Sequence, residues 1–314
     1  MTKRFAYIFP GQGSQYPGMG RELAETYRDA RKVFEEADDA LGFSISRICF
    51  EGSAEELQLT ENTQPAILTT SIATLRAIES EGFPAPDFVA GHSLGEYSAL
   101  VAAEAISLRD AVRVVRLRGR FMQEATPVGS GAMAAVIDAD LGTVTEACSE
   151  AAQGDVCSPA NINSLNQIVI AGSAQAVDRA IAILKERWNK RAIKLPVSAP
   201  FHCALMRPAQ ERLAAELEKI EFNDLGLPLI TNVDAVAIRR GVEARHALVR
   251  QVSSPVRWLE SVQLMIREGV ETFVEVGPGK VLCGLVRQIE RAANCLSVGD
   301  AETLRAASAA LSSS

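Results

Sequence analysis

The stretch FVAGHSLGEYSAL, residues 88–100, predicts a buried strand, a tight turn and a helix. A Gly-x-Ser-x-Gly sequence in that setting is typical of a nucleophile elbow, the sharp turn that presents a reactive serine. Gly91 and Gly95 remove Cβ atoms where the backbone doubles back and where helix and strand come close. The turn also places Ser93 at a helix N-terminus, where unpaired N–H groups favour a developing negative charge. Ser93 is therefore a candidate nucleophile, with the Leu94 N–H as oxyanion donor; the alternative is a structural turn.

The elements on either side of this turn indicate an α/β protein. Apolar strands at 5–9 and 86–91 alternate with helical patterns, which cover 19–40, 63–81, 94–105 and 107–124. Alternation of this kind is typical of a mostly parallel sheet covered by helices.

A second unit interrupts this pattern. Four strands are predicted in GAMAAVI (131–137), VCSPANIN (156–163), QIVIAG (167–172) and RAIKLPV (191–197), and two helices at 140–153 and 174–189. Along the chain they run in the order strand, helix, strand, strand, helix, strand. This order is the ferredoxin-like pattern. We therefore expect a ferredoxin-like insert at 127–197 within a catalytic domain made of residues 1–126 and 198–314.

The larger domain resumes after the insert. We expect two strands and three helices there, at 206–219 (helix), 228–233 (strand), 242–251 and 255–268 (helices) and 271–277 (the last strand). The Ala/Ser-rich tail at 306–314 is expected to be frayed.

Composition narrows the class of protein. Hydrophobic residues make up 47% and charged residues 23% of the 314 residues, as in ordinary globular proteins. The net charge of −7 argues against nucleic-acid binding, which needs a basic surface. No apolar run reaches the length of a signal-peptide core or a membrane span. We therefore expect a cytoplasmic protein whose cysteines, none in a Cys-x-x-Cys motif, are reduced thiols: 49, 148, 157, 203, 283 and 295.

A nucleophilic serine needs a base, and the chain has three histidines. His92 adjoins the serine, where neighbouring side chains point apart, and His246 lies in a polar helical run. His202, in VSAPFHCALM, is the base by elimination; the alternative is a buried histidine without a catalytic role. A carboxylate would complete a triad, and the sequence leaves Asp234 and Glu275 as open candidates.

One arginine lies on the apolar face of its helix. Arg118 shares that face with residues spaced three or four apart, Leu108, Ala111, Val115 and Met122. A buried guanidinium is costly unless it is paired. Its partner is either an internal carboxylate or the carboxylate of a substrate, which a guanidinium can grip with two hydrogen bonds.

The same helix has a basic outer face. Its arginines recur at the spacing of one helical face and are expected to be solvated: Arg109, Arg113, Arg116 and Arg120.

These motifs closely resemble those of malonyl-CoA:acyl carrier protein transacylases, from about residue 5 to 300. The segments that carry the resemblance are FPGQGSQYPGMG, TQPA, GHSLGEYSAL, RLRGRFMQEA, NQIVIAG, VSAPFHCALM and EVGPGKVL. The resemblance implies an α/β-hydrolase-like large domain with a ferredoxin-like insert. It also implies transfer of malonyl from malonyl-CoA to the pantetheine thiol of holo acyl carrier protein through a malonyl-serine.

The resemblance assigns roles residue by residue. It implies that Ser93 is acylated, that His202 is the base and that Arg118 holds the malonyl carboxylate. The backbone N–H groups of Gln12 and Leu94 would form the oxyanion hole.

Four further positions follow from the same resemblance. The main-chain carbonyl of Gln251 would orient the histidine, so that a Ser-His dyad replaces a triad. Gln64 and Asn161 resemble residues that line the substrate pocket. Phe201, just before the histidine, resembles the malonyl-selective pattern.

The partners expected from these residues are malonyl-CoA and an acidic carrier protein, which Arg113, Arg116 and Arg120 could help to dock. We predict no metal, cofactor, nucleic acid or membrane as a partner, and a monomer. The alternatives are a malonate decarboxylase transacylase subunit and a serine thioesterase or esterase. A dinucleotide-binding module is disfavoured, because GQGSQY lacks the last glycine of Gly-x-Gly-x-x-Gly and GPGKVL lacks the Walker spacing.

Overall fold

Two sheets organise residues 4–197 and 199–312, the part of the chain that the computed structural model describes. The strands are β1 (Arg4–Phe9), β2 (Phe88–Gly91), β3 (Gly131–Ile137), β4 (Cys157–Ser164), β5 (Gln167–Ser173), β6 (Arg191–Lys194), β7 (Leu229–Ile230), β8 (Ala237–Ile238), β9 (Val270–Val276) and β10 (Asn294–Val298). The α-helices are α1 (Arg21–Thr26), α2 (Arg28–Leu41), α3 (Ile45–Glu51), α4 (Ala54–Gln58), α5 (Thr60–Ser80), α6 (Gly95–Ala102), α7 (Leu108–Glu124), α8 (Leu141–Ala152), α9 (Ala174–Trp188), α10 (Arg207–Leu217), α11 (Gly241–Gln251), α12 (Trp258–Arg267), α13 (Val281–Ile289) and α14 (Ala301–Ser312).

The larger sheet has the strand order β10-β9-β1-β2-β7-β8 and is parallel except for the β7–β8 pair. Parallel strands need crossover connections, and the helices that make them cover both faces of the sheet. Alternate residues of β1 accordingly enter two different cores, Tyr7 and Phe9 on one face and Ala6 and Ile8 on the other. The predicted mostly parallel α/β fold is confirmed.

The smaller sheet is antiparallel, with the strand order β4-β5-β3-β6. Helices α8 and α9 pack on it through an apolar core that includes Val136, Val144, Ile170 and Leu184. Along the chain its elements run strand, helix, strand, strand, helix, strand, the order that the sequence predicts.

The C-terminal segment differs from the prediction. Strand β10 follows the strand expected to be last, and the tail expected to be frayed belongs to helix α14 as far as residue 312. Ala301, Leu304 and Ala307 are buried on that helix, at a spacing of three that forms one apolar stripe. Residues 313–314 of the tail, and residue 198 at the predicted domain boundary, lie outside the described residues.

The N-terminal helical region is also more divided than predicted. The pattern at 19–40 forms two helices, α1 and α2, which meet at Tyr27 in an extended conformation. Two short helices, α3 and α4, then precede α5. Each begins at a serine whose side chain accepts a backbone N–H, Ser44 from Arg47 and Ser53 from Glu56.

The cysteine prediction is wrong for one pair. Cys283 of α13 and Cys295 of β10 form a disulfide, with their Cα atoms 5.5 Å apart. The two positions are 12 residues apart in sequence, and only the packing of α13 against β10 brings them together. In residues 4–197 and 199–312 we find no helix with the length and apolar character needed to cross a bilayer.

Candidate active site

The elbow between β2 and α6 holds Ser93 in a strained backbone conformation. Its φ angle is 51°, in the left-handed region that a side chain rarely adopts. The two flanking glycines are required there, because a Cβ at Gly91 would overlap the backbone of Gly95 and a Cβ at Gly95 would overlap the carbonyl oxygen of Phe9. The sequence motif therefore corresponds to a real steric demand.

Ser93 and His202 are in direct contact. The distance between Ser93 Oγ and His202 Nε2 is 2.7 Å, and His202 Nδ1 lies 2.9 Å from the main-chain oxygen of Gln251. A carbonyl oxygen can only accept a hydrogen bond, so Nδ1 carries the proton and Nε2 is the acceptor for the serine hydroxyl. The geometry is that of a serine activated by a neutral histidine, with a carbonyl in the place of a triad carboxylate.

His202 is held in a buried, positively charged setting. It is 3% exposed and has a φ angle of 60°, so its backbone is also in the left-handed region. Burial lowers the pKa of His202 to about 3, and the nearby charge of Arg118 acts in the same direction. The imidazole is therefore neutral, and able to accept a proton, over the whole physiological pH range.

Arg118 lies on the buried face of α7, as predicted, and is 2% exposed. Its Nη1 donates to Gln64 Oε1 (2.8 Å), and its Nη2 donates to Gln251 Oε1 (2.9 Å) and to Ser93 Oγ (3.1 Å). Burial lowers the pKa of the guanidinium, which nevertheless stays protonated. All three acceptors are uncharged, so no carboxylate of the described residues is hydrogen-bonded to the guanidinium, contrary to the alternative of an internal carboxylate partner; Glu96 acts on it directly only through its charge.

A cavity of about 120 Å³ lies beside Ser93, His202 and Arg118. This volume equals about four waters at their share of liquid volume, which suits a short acyl group. The predicted positions Gln12, Leu94, Gln64, Asn161 and Phe201 all line the cavity. His92 and Met122, which the sequence analysis named in other contexts, also line the cavity. Three apolar residues that it did not single out complete the wall: Met133, Leu195 and Val197.

Asn232 and Glu96 are site residues that the sequence analysis missed. The side chain of Asn232 accepts from the backbone N–H of Ser93 (2.7 Å) and donates to the carbonyl of Gly91 (2.7 Å), which braces the elbow on both sides. Glu96 Oε2 accepts from the backbone N–H of Asn232 (3.1 Å) and from Gln251 Nε2 (2.7 Å). The only sequence signal was a charged residue, Glu96, in the otherwise apolar helix that follows the elbow.

Glu96 is 1% exposed, and its Oε1 is buried without a hydrogen-bond partner among the described residues. Burial raises the pKa of Glu96 to about 7, against the opposing effects of the hydrogen bonds from Gln251 and Asn232 and of the Arg118 charge. The carboxyl group thus changes its protonation near neutral pH.

The two carboxylates that the sequence left as candidates for a third triad member have other partners. Asp234 pairs with Arg250 at 2.8 Å. Glu275 is fully buried and accepts the backbone N–H groups of Leu282 (3.0 Å) and Cys283 (2.7 Å) at the start of α13. Neither carboxylate is bonded to His202, so both candidates for a third triad member are wrong.

The other two histidines lie as the sequence analysis expected. His92 Nε2 bonds Asn163 Oδ1 at 2.8 Å, and the ring packs edge-on against Trp258. His246 is exposed on α11.

The basic face of α7 is only partly solvated. Arg109, Arg113 and Arg120 are exposed, but Arg116 is half-buried with its guanidinium 4.2 Å from the centre of the Phe43 ring. Stacking on an aromatic face explains why the expectation of a solvated Arg116 is wrong.

A serine at an elbow, bonded to a buried neutral histidine beside a small cavity, is the arrangement of an enzyme that carries acyl groups on serine. The sequence profile described as the acyl transferase domain matches residues 6–306, and the chain belongs to this family.

Its relatives are malonyl transferases. The chain is 52% identical to the malonyl CoA-acyl carrier protein transacylase of Escherichia coli strain K12, over 91% of this chain and 93% of that one. The acyl carrier protein S-malonyltransferase of Vibrio cholerae has a TM-score of 0.95 and 47% identity, over 97% of this chain and 100% of that one. A malonyl-transacylase solved in complex with its type II PKS acyl-carrier protein has a TM-score of 0.95 and 45% identity, over 98% and 100% of the two chains.

Proposed function

We propose that this protein transfers the malonyl group of malonyl-CoA to the pantetheine thiol of holo acyl carrier protein, for fatty acid or polyketide synthesis. The relatives named above support the reaction. The observation that carries the proposal for this chain is the 3.1 Å separation of Arg118 Nη2 and Ser93 Oγ beside one small cavity. That spacing lets a guanidinium bind the free carboxylate of an acyl group whose other end is bonded to the serine.

Transfer takes place in two half-reactions. In the first, His202 accepts the Ser93 proton while Oγ bonds to the thioester carbon; the C–S bond then breaks and the CoA sulfur leaves with that proton. In the second, the pantetheine thiol gives its proton to His202 and attacks the malonyl-serine ester. The ester C–O bond breaks, Ser93 recovers its proton from the imidazole, and the malonyl thioester of the carrier is released.

Two oxyanion donors and one cation complete the proposed machinery. The backbone N–H groups of Gln12 and Leu94, both at the cavity, would stabilise the tetrahedral oxyanion. Arg118 would exchange its hydrogen bond to Ser93 Oγ for bonds to the malonyl carboxylate, which frees the nucleophile only when an acid-bearing acyl group is present. Gln251 would keep the imidazole in its tautomer through the main-chain carbonyl.

Three further residues at the cavity would support the binding of malonyl. Gln64 orients Arg118 through its 2.8 Å hydrogen bond. Asn161 and Phe201 line the cavity and would restrict the acyl group in size, in line with selection of malonyl.

The finer description of the fold is also part of this proposal. We assign residues 1–126 and 198–314 to an α/β-hydrolase-like catalytic domain and residues 127–197 to a ferredoxin-like insert, which contributes Met133, Asn161, Leu195 and Val197 to the cavity wall. The antiparallel order β4-β5-β3-β6 supports the second assignment. We further propose that the protein acts as a monomer in the cytoplasm.

The test is to incubate the purified protein with malonyl-CoA and holo carrier protein and to weigh both proteins by mass spectrometry. We expect a malonyl adduct on the enzyme without carrier, and its transfer to holo but not apo carrier. S93A should form neither adduct. Release of free malonate as the main product would instead favour a thioesterase, and failure to load the carrier protein would refute the proposal.

A further inference from the structure

The side chain of Gln251 bridges two buried groups of opposite charge. Its Nε2 donates to Glu96 Oε2 (2.7 Å) and to the carbonyl of Ser93 (2.9 Å), while its Oε1 accepts from Arg118 Nη2 (2.9 Å). Its main-chain oxygen accepts from His202 Nδ1 (2.9 Å). One residue, fully buried at the end of α11, therefore contacts the base, the cation and the nucleophile.

Which end of the Gln251 amide faces Arg118 determines whether the guanidinium finds a hydrogen-bond acceptor there. A guanidinium can only donate hydrogen bonds, so it needs the amide oxygen and would be repelled by the amide NH₂. Three acceptors surround the NH₂ end, Glu96 Oε2 at 2.7 Å, the carbonyl of Ser93 at 2.9 Å and Asn232 Oδ1 at 3.4 Å, and Glu96 is the nearest of them.

We infer that Glu96 is a positioning residue that acts through the amide of Gln251, holding the guanidinium of Arg118 where it can bind the carboxylate of the acyl group. The inference rests on the proposed function and extends it by one residue. Glu96 makes no direct hydrogen bond to Arg118 or His202, and it does not need to touch the substrate. Its acceptor oxygen, rather than its charge, performs this role.

The role of the acceptor can be separated from that of the charge with two conservative variants. E96Q removes the charge but keeps an oxygen at the same distance along the side chain, where it can accept from Gln251 and from the N–H of Asn232. E96D keeps the charge but shortens the side chain by one methylene, which withdraws the acceptor by about 1.5 Å and breaks a 2.7 Å hydrogen bond. If Glu96 acted as a counter-charge to Arg118, E96Q should lower the preference for malonyl over acetyl. If Glu96 positions Gln251, E96D should lower that preference instead.

The readout is the ratio of kcat/KM for malonyl-CoA to kcat/KM for acetyl-CoA, with holo carrier protein as acceptor. Displacement of Arg118 lowers only kcat/KM for malonyl-CoA. A shift of His202 or a loss of folded protein lowers kcat/KM for both acyl-CoA substrates and leaves their ratio unchanged. We expect E96D to lower the ratio by up to about tenfold, as the loss of one hydrogen bond to the Gln251 amide implies. E96Q should stay within about threefold of the wild-type ratio, since its acceptor remains.

Two further measurements make the test specific. In a Q251A background, E96D should no longer change the ratio, because the residue through which Glu96 acts is gone. E275D is the matched control: it shortens another fully buried glutamate, one that accepts backbone N–H groups of α13, and should lower the melting temperature without changing the ratio.

The inference is overturned if E96Q lowers the ratio as much as E96D, if E96D leaves the ratio unchanged, or if E96D acts equally in the Q251A background. These outcomes are separate from failure of the proposed function. A wild-type protein that does not malonylate the carrier refutes both, whereas an active wild-type protein with any of these variant results refutes the positioning role alone.

Discussion

The replacement of Arg118 by methionine tests the selection of an acid-bearing acyl group. Methionine is unbranched and apolar, so it fills much of the same buried space on α7 without a charge. The guanidinium has two hydrogen bonds to uncharged acceptors, Gln251 and Ser93, on one nitrogen and a third, to Gln64, on the other. Each of the two nitrogens thus bonds a residue that lines the cavity, Nη1 to Gln64 and Nη2 to Ser93.

The magnitude follows from the hydrogen bonds that the substrate would lose. Two bonds between a guanidinium and a carboxylate, at about 1.5–3 kcal/mol each, amount to roughly 3–6 kcal/mol. Since about 1.4 kcal/mol corresponds to a factor of ten, kcat/KM for malonyl-CoA should fall by roughly 10²- to 10⁴-fold in R118M. Acetyl-CoA has no carboxylate to lose, and Ser93 Oγ is freed from the Nη2–H donor at 3.1 Å, so its kcat/KM should stay level or rise.

The assay measures transfer of each acyl group to holo carrier protein and, in a rapid-quench experiment, the burst of acyl-serine. R109M is the control on the same helix, because Arg109 is exposed and is not among the arginines proposed to dock the carrier protein. It should leave both kcat/KM values within about twofold, as is usual for a surface substitution. A malonyl-to-acetyl ratio that changes less than tenfold in R118M would show that the guanidinium does not hold the substrate carboxylate.

Three other predictions follow from contacts around the site. In G119A the added Cβ would lie 2.6 Å from the carbonyl oxygen of Thr60, so α7 must move away from α5; we expect a loss of about 1–3 kcal/mol in urea unfolding and a lower malonyl kcat/KM, and unchanged stability would contradict this. The folded-state pKa of Glu96 is raised from 4.5 to about 7, so its protonated form stabilises the fold below pH 4.5 and that contribution disappears as the pH rises through 7. The stability of the wild type relative to E96Q should therefore fall between pH 5 and 7, by at most about 1.4 kcal/mol per pH unit, and a gap that is independent of pH would refute the raised pKa. Charge reversal at the exposed Arg113 and Arg120 should raise KM for the acidic carrier protein and weaken its dependence on salt, with kcat/KM for enzyme acylation unchanged; equal salt dependence in the variant and wild type would exclude these residues from docking.

The three groups to which we assign the chemistry could be found from the sequence because each had a local signal. Ser93 is marked by its glycines, which the steric demands of the turn make necessary. His202 is one of three histidines, and the other two could be set aside on sequence context alone. Arg118 breaks the apolar stripe of a strongly amphipathic helix, and the structure buries it with the rest of that stripe.

The groups that support these three had a weaker signal or none: Glu96 is a charged residue in a largely apolar helix, and Asn232 has no comparable mark. Glu96 contacts Asn232 and Gln251 across 136 and 155 residues of sequence, and only the folding of α6, the segment after β7 and the end of α11 against one another brings them together. The same limit applies to the fold. The parallel sheet and the order of the small antiparallel unit follow from hydrophobic periodicity, but the Ala-rich α14 becomes a defined helix through burial against the core, which a window of local sequence does not reveal.

Among the described residues no carboxylate is hydrogen-bonded to His202, and this fits the proposed selection of an acidic substrate. An aspartate in that position would add a buried anion to the surroundings of Arg118, whose charge already acts on His202, and this anion would compete with a substrate carboxylate for the guanidinium. The carbonyl of Gln251 fixes the imidazole tautomer equally well without offering that competitor. The Glu96 carboxyl group is separated from Arg118 by the amide of Gln251. In that position it can align the Gln251 side chain without occupying the hydrogen-bond donors of Arg118 that the substrate would need. In the proposed mechanism, a Ser-His pair with a neutral third partner would thus leave the buried cation of Arg118 available to the substrate.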